Sequence, residues 1–365
     1  MARNRVIYQS EALFVNQDAS LQNNYNQLER VQSANYSFTI NRQDVNQYGQ
    51  LGKLDSIIID APTVSADLSY YITDGFNERA LGFFVASGNQ SATQAGFVSG
   101  HLSDGSGRNL IVLTTPEGTD ADLPKRAAAA TDSTIGIGNC YLSDYSVEMA
   151  VGSLPTASVS FDALNINSDD NAGSIASPAI NVVEGTSVGR TVTLPEAFTG
   201  SGTTTALRPG NITVDISTFD GVPVANIGTD AEGAHIQSAS LSVPLSRSTL
   251  ERLGSNSAYA RSVDFPVVST LNVSAIMNEV EASNLVDIIA DEAEKQVTLT
   301  LLKEDKSSGI IYTLVGCSLD SESISSSIGS NKTVDLTFST SVGGPADTSH
   351  GVFMSGSYPV PPNGV

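Results

Sequence analysis

Alternation of apolar and polar residues runs through most of this chain, and it predicts β-strands rather than long helices. Tyr36, Phe38 and Ile40 alternate with polar neighbours, as expected for a strand that buries one face. The same pattern surrounds a predicted turn at Gly152–Ser153, in Val147, Met149, Val151, Val159 and Phe161. We therefore expect a mostly β protein.

Two blocks of this pattern occur twice in the same order. Residues 31–49 (VQSANYSFTINRQDVNQYG) align without a gap to 236–254 (IQSASLSVPLSRSTLERLG), and residues 138–161 align without a gap to 315–338. The identical pairs include Gln32/Gln237, Ser33/Ser238, Ala34/Ala239, Ser37/Ser242, Arg42/Arg247, Gly49/Gly254, Cys140/Cys317, Leu142/Leu319, Gly152/Gly329 and Phe161/Phe338. Two ordered blocks in one chain predict two tandem homologous domains, each a β-sandwich or barrel flanked by a short helix.

The spacing of the blocks locates an insertion in the first copy. The first block is displaced by 205 residues (33 to 238) and the second by 177 (140 to 317), a difference of 28. The run from Ser87 to Asn109 is rich in Gly, Ser and Asn and accommodates these residues. Because small polar residues bury little apolar area, we expect an exposed, mobile loop there.

The repeat divides the chain into four parts. We predict a first domain over 1–163, a linker over 164–207, a second domain over 208–345 and a C-terminal tail over 346–365. The Ser/Gly/Thr-rich linker is long enough to cross between domains. Its segments 182–183 and 192–194 could add a strand to a sheet edge.

Three segments favour helices. Residues 74–84 begin at Asp74, an N-cap candidate, and 278–292 begin at Asn278 with apolar residues on one side. The segment SRSTLERLG, residues 246–254, resembles a short helix that Gly254 stops.

Composition and charge exclude several classes of protein. The chain has 39 acidic and 18 basic residues, a net charge of −21, so nucleic-acid binding through phosphate contacts is not expected. No apolar run approaches the ~20 residues of a membrane span, and the N-terminal residues lack the apolar region of a signal peptide. The two cysteines, one per copy, are expected to be buried and unpaired.

Candidate chemistry is absent, so we predict no catalytic, cofactor-binding or metal-binding residues and no enzymatic activity. His101, His235 and His350 have no acid or Cys at ligand spacing, and no nucleotide-binding or hydrolase motif occurs. The acidic run at 169–171 lacks the spacing of a calcium loop. The pair Arg42/Arg247 is expected to bind a carboxylate on a neighbouring domain rather than a substrate.

Residues 32–83 (QSANYSFTINRQDVNQYGQLGKLDSIIIDAPTVSADLSYYITDGFNERALGF) resemble the core of a bacteriophage tail tube protein. The similar elements are a strand, an Arg-containing turn ending near Tyr48-Gly49, a Pro-preceded strand pair and a helix, closed by the block around Cys140. The resemblance implies stacked rings around a DNA channel, self-association, and contacts with other tail proteins such as sheath, terminator or baseplate. It also implies location in the virion tail after synthesis in the host cytoplasm, DNA passage without specific binding, and no membrane partner.

Doubling of the domain has a geometric consequence under this resemblance. If a ring needs six tube domains, three two-domain chains fill it as a trimer that imitates sixfold symmetry. The acidic surplus predicts a channel with more Asp and Glu than Lys and Arg. Two other classes stay open: a capsid decoration or baseplate-type virion protein, and an adhesion module of tandem β-sandwiches.

Overall fold

Strands dominate the protein, which confirms the mostly β fold that the alternation predicts. The structure is a computed structural model. It describes residues 6–7, 10–16, 25–87, 95–102, 107–121, 128–182, 184–194, 207, 212–215, 235–254, 257–277, 294–303, 308–327, 329 and 331–357.

The elements follow the two copies of the repeat. The first copy contains β1 (Glu11–Asn16), β2 (Tyr25–Gln27), β3 (Val31–Thr39), β4 (Arg42–Val45), β5 (Asp55–Ile58), β6 (Thr63–Tyr71), α1 (Phe76–Leu81), β7 (Ala86–Ser87), a 3₁₀ turn (Ser99–His101), β8 (Arg108–Thr114), β9 (Ser133–Ala150) and β10 (Thr156–Ala163). After it come β11 (Asn165–Asp169), β12 (Ile175–Ala176), β13 (Ile180–Asn181), β14 (Thr186–Ser187) and β15 (Thr191–Val192). The remaining strands are β16 (Ile212–Asp215), β17 (His235–Pro244), β18 (Arg247–Leu250), β19 (Ala260–Val263), β20 (Val267–Ile276), β21 (Lys295–Leu302), β22 (Ser308–Ser325), β23 (Thr333–Val342) and β24 (Gly351–Gly356).

One continuous sheet passes through both copies. Its strand order is β16-β21-β22-β23-β20-β17-β9-β10-β6-β3. The first copy supplies β3-β6-β10-β9 and the second supplies the equivalent run β17-β20-β23-β22. The pairing of β9 with β17 joins the two runs, and all neighbours along them are antiparallel.

The two runs have the same register, including their irregularities. A bulge at Gln32 interrupts the β3–β6 ladder, and a bulge at Gln237 interrupts β17–β20 at the equivalent position. Each glutamine amide donates to the carbonyls of the two preceding positions, Arg30 and Val31 or His235 and Ile236. The β9–β10 and β22–β23 ladders also shift at equivalent points, beside Leu142 and Leu319. The repeat therefore extends from sequence to backbone geometry.

Each copy has two layers because its longest strand bends from one sheet into another. Strand β9 pairs first with β8 and then with β10, and β22 pairs first with β21 and β24 and then with β23. The bends fall at Asn139 and Gly316, equivalent residues that both have a positive φ. The buried face of the shared sheet and the second layers enclose one apolar core drawn from both copies.

The insertion in the first copy contributes to this core, contrary to the exposed loop expected from its composition. Phe97 is fully buried and stacks on Phe83, with ring centroids 4.3 Å apart. Val98 and His101 are also buried. A few bulky side chains are enough to anchor the segment, although small polar residues surround them. Its residues 88–94 and 103–106 lie outside the described part.

The helix predictions were correct only in part. Helix α1 is present, but Gly75 occupies its N-cap position, and the Asp74 carboxylate accepts a hydrogen bond from the Phe76 amide at 3.0 Å. The predicted helix at 246–254 is wrong: β18 and β19 form a hairpin there, like β4 and β5 in the first copy. The predicted helix at 278–292 lies outside the described residues.

Much of the predicted linker packs on the first copy. Strand β11 pairs with β9, while β12 pairs with β15 and β13 with β14, so the small strands form separate ribbons. Ile175, Val192 and Leu194 are buried with Phe14 of β1. Gly138 permits this packing, because a Cβ there would lie 2.0 Å from the Pro178 carbonyl oxygen. The path of the linker between domains stays a prediction.

Replacement of Phe97 tests whether the insertion belongs to the core. We expect Phe97→Ala to lower the free energy of unfolding by about 3–5 kcal/mol, because a buried aromatic ring leaves a cavity. Urea denaturation followed by circular dichroism measures this change. The exposed Leu154→Ala is the control, and an equally small effect of both variants would contradict the assignment.

Candidate assembly interface

The junction between the copies is a strand pair whose core face is buried. Residues Ser238–Pro244 of β17 lie antiparallel to Asp144–Ala150 of β9. Leu241 lies opposite Val147, and Val243 lies opposite Tyr145; these four side chains are at most 1% exposed. The junction therefore combines ladder hydrogen bonds with a continuous apolar contact.

Arg247 fastens the second copy to the first beside this ladder. Its guanidinium donates to the carbonyl oxygens of Leu142, at 2.8 Å, and of His101, both in the first copy. It also donates to the Arg261 carbonyl at 2.9 Å and lies 5.4 Å from the centroid of the Tyr141 ring. Carbonyl oxygens of the first copy are therefore acceptors for Arg247, and its predicted contact with a carboxylate on a neighbouring domain stays a prediction.

A carboxylate contact does occur at the junction, one strand away. The guanidinium of Arg261, which is buried, lies 3.4 Å from the Asp162 carboxylate of the first copy. Sequence comparison of the copies could not single out Arg261, because its equivalent in the first copy is Ser56.

Two edges of the shared sheet have no neighbouring strand among the described residues. Strand β3 pairs only with β6, and residues 318–325 of β22 pair only with β23. Apolar side chains stand exposed at both edges: Phe38 is 59% exposed and Ile324 is 44% exposed. An edge with exposed backbone groups and apolar side chains is a site where another strand adds.

Both hairpins extend from the same end of the shared sheet. Four antiparallel steps separate β3 from β17, so these strands run in the same direction, and each is followed by its hairpin. The hairpin regions expose large apolar side chains: Val45, Tyr48, Leu51, Leu54, Ile57, Ile58 and Ile59 in the first copy, and Leu250, Leu253, Tyr259 and Phe265 in the second. Clustered exposed apolar residues of this kind indicate protein contacts.

The outer face of the shared sheet is polar and acidic. The eight strands β3, β6, β9, β10, β17, β20, β22 and β23 contain neither Lys nor Arg. By their register, Asp67, Asp144, Glu148 and Asp335 project from the face opposite the core, among many Ser and Thr residues. This face therefore concentrates negative charge without local compensation from the strands.

A buried carboxyl group lies where the copies meet. Glu78 of α1 accepts hydrogen bonds from the hydroxyls of Tyr70, at 3.1 Å, and Tyr145, at 3.5 Å. The Tyr145 hydroxyl is 2.8 Å from that of Tyr312 in the second copy. Burial raises the pKa of Glu78 to about 7 and those of the three tyrosines well above their usual range. No pattern in the sequence marks this cluster, because its members lie on four separate elements.

The histidines do not form a common site. His101 is buried, and burial lowers its pKa well below the usual value. His235 is exposed, and His350 contacts the carboxylates of Glu294 at 3.1 Å and Asp347 at 3.6 Å. The described residues contain no group of three or more His, Cys, Asp or Glu side chains suited to a metal.

Two further expectations concern the cysteines and the membrane. Cys140 and Cys317 are buried and free, as predicted. The described part of the chain contains no helix with the length and apolarity that a membrane span requires.

Comparisons with known proteins give matches among solved structures. No protein-family model and no curated protein matches the chain. Among the solved structures that match is a chain from the cryo-EM structure of the anti-feeding prophage baseplate, symmetrised sixfold. The two sequences are 18% identical, the match covers 44% of this chain and 100% of the other, and the TM-score is 0.29.

Replacement of Glu78 should change how stability depends on pH. Because the folded-state pKa is raised from 4.5 to about 7, the contribution of this group is full below about pH 4.5 and is lost as the pH rises through about 7. We expect Glu78→Gln to gain stability relative to the wild type between pH 5 and pH 8, by up to about 3 kcal/mol. Urea denaturation at the two pH values measures it.

The comparison must be made against the wild type at each pH because His101 titrates in the opposite sense. Its lowered pKa means that stability is lost as the pH falls below about 6.5. This loss is common to both proteins and cancels in the difference. The exposed Glu148→Gln serves as the control, and a pH-independent effect of Glu78→Gln would refute the assignment.

Proposed function

We propose that this protein is a structural component of a phage-type virion, and that it forms the stacked rings of a tail tube. The observation that carries the proposal is the side-by-side union of two equivalent copies in one sheet. The resemblance of residues 32–83 to tail tube proteins agrees with it.

Repetition of the internal step produces a ring. The contact between the two copies joins two different sheet edges, that of β9 and that of β17. Such a contact is heterologous, so the same contact can be repeated between successive chains. Such an assembly closes into a ring when the rotation between successive copies divides a full turn evenly. With six copies in a ring, three chains suffice, and the edges at β3 and at the end of β22 are then paired.

The polar face of the sheet suits the wall of a DNA channel. Its core face is covered by the second layers of each copy, so the uncovered acidic face is the one available to line a lumen. Negative charge repels phosphates over a screening length of about 8 Å at physiological salt. DNA would then pass without the Lys and Arg contacts that retain it.

Electron microscopy and native mass spectrometry test this function. We expect purified protein at high concentration to form hollow tubes in negative stain, and dissociated rings to have the mass of three chains. Discrete trimers would instead favour a capsid decoration or baseplate-type role, and monomers would favour the adhesion module. Rings of six intact chains would contradict the stoichiometry.

The exposed hairpins supply contacts between stacked rings in this proposal, since all of them point towards one end of a ring. We expect Leu51→Asp combined with Leu253→Asp to leave rings intact but to shorten tubes at least tenfold, because charges enter an apolar contact. Tube length in negative stain measures the effect.

The control for the hairpin variant is Leu51→Met combined with Leu253→Met, which retains size and apolarity. Both leucines are fully exposed in the single chain, so neither variant removes a core contact. If the aspartate variant forms long tubes, the hairpins do not lie in the interface between stacked rings.

A further inference from the structure

We propose that successive chains join through a copy of the internal β9–β17 junction, with a defined register. Strand β3 of one chain pairs antiparallel with the end of β22 in the next, so that Tyr36 lies opposite Ile324 and Phe38 lies opposite Glu322. Arg42 binds the Leu319 carbonyl of that neighbouring chain. This inference deepens the proposed function, on which it rests for its partner, a second copy of this chain.

The register follows from the repeat without further assumptions. Strand β3 corresponds to β17 at a displacement of 205, and β9 corresponds to β22 at 177. The shared bulges show that these correspondences hold in the backbone as well. Each pair of the internal ladder therefore transfers to one pair between chains: Leu241–Val147 becomes Tyr36–Ile324, and Val243–Tyr145 becomes Phe38–Glu322.

Exposure of the matched residues identifies the open edges as two halves of the same junction. Val243 and Val147 are fully buried inside the chain, whereas their equivalents Phe38 and Ile324 are exposed. Each exposed apolar side chain thus occupies a position that the internal junction covers. A second copy in the transferred register would cover Phe38 of one chain and Ile324 of the next in the same contact. An unrelated strand would have no matching edge with which to cover both residues.

Arg42 gives a second, independent indication. Its equivalent, Arg247, donates across the internal junction to the Leu142 carbonyl, and Leu142 corresponds to Leu319. Arg42 is exposed at the beginning of β4 in the single chain. Conservation of an arginine between copies that have otherwise diverged around it fits a contact that both junctions use.

Glu322, which lies on the same edge of β22, has a buried polar atom, Oε1, without a hydrogen-bond partner among the described residues. The side chain lies on the core face, opposite Leu336 of β23. In the transferred register the Tyr36 hydroxyl of the incoming strand is on the same face and one diagonal step away, within reach to donate to it.

The two junctions differ in strength by composition. The internal one has the Arg261–Asp162 ion pair and the contact of Arg247 with Tyr141. The equivalent positions between chains are Ser56, Ser339 and Ser318, which supply neither. The chain-to-chain junction is therefore the weaker one, so that a chain completes its own fold before it associates.

Paired cysteines test the register directly. We expect Tyr36→Cys combined with Ile324→Cys to form an intermolecular disulfide on mild oxidation of the assembled protein, because directly opposite residues meet the distance requirement. Phe38→Cys with Glu322→Cys is a second in-register pair that removes no fully buried side chain. Non-reducing denaturing electrophoresis should show covalent dimers and trimers. The wild type should show none, since its two cysteines are buried.

A shifted pair provides the control. Ala34→Cys with Ile324→Cys lies two residues out of register, and its yield of covalent oligomers should be at least tenfold lower. Equal yields from shifted and in-register pairs would overturn the proposal. If hollow tubes form without any in-register disulfide, the proposed junction is wrong but the proposed tube function is not contradicted. In-register disulfides in a protein that forms no tube would support the junction and reject the tube.

Matched arginine variants separate association from folding. Arg42→Ala should weaken self-association at least tenfold in sedimentation velocity and leave the thermal midpoint of the single chain unchanged. Arg247→Ala should lower that midpoint, because its contacts lie within the chain. Unchanged association of Arg42→Ala would remove the Leu319 contact from the proposal.

Discussion

The pairing of β9 with β17 is the interaction on which the rest of the structure depends. It turns two half-sheets into one and places the core faces of both copies in register. Tyr145 of β9 lies in the middle of this ladder, and its hydroxyl connects Glu78 of the first copy to Tyr312 of the second. Separation of the strands would expose the apolar residues of the junction and break the hydrogen bond between the hydroxyls of Tyr145 and Tyr312, so the stability of each copy depends on the other.

Divergence between the copies follows a physical rule. Positions that set the backbone are retained: Gly49/Gly254 and Gly152/Gly329 all have positive φ, a conformation in which a side chain is strained. The ion pair of Arg261 with Asp162, which strengthens the internal junction, is not retained, because the equivalent positions are Ser56 and Ser339. Under the proposed assembly, the duplicated domain keeps one geometry while only the internal one of two equivalent contacts carries the additional ion pair.

Local alternation predicted the mostly β fold, and the repeat predicted the equivalence of the two copies, because both features depend on which face of a strand is buried. The hairpin at 246–254 was misjudged as a helix because Leu250 and Leu253 have helical spacing. Both are in fact exposed, so the spacing reflects no buried face. Average composition gives no sign that Phe97 is buried, because one aromatic ring changes the composition of the segment very little. The cluster around Glu78 could not be predicted, since only the tertiary fold brings its members together.

The distribution of charge carries more meaning than its total. A net charge of −21 alone is compatible with a surface that is acidic everywhere and merely promotes solubility. The eight strands of the two runs lack Lys and Arg altogether, although the chain has 18 such residues elsewhere. Arg42, Arg247 and Lys53 are found instead on the hairpins at the end of the sheet. The cations of the chain thus lie outside the eight strands, whose outer face carries Asp67, Asp144, Glu148 and Asp335. A sheet face without cations is what the proposed channel wall requires, because a polyanion passes such a face without being held.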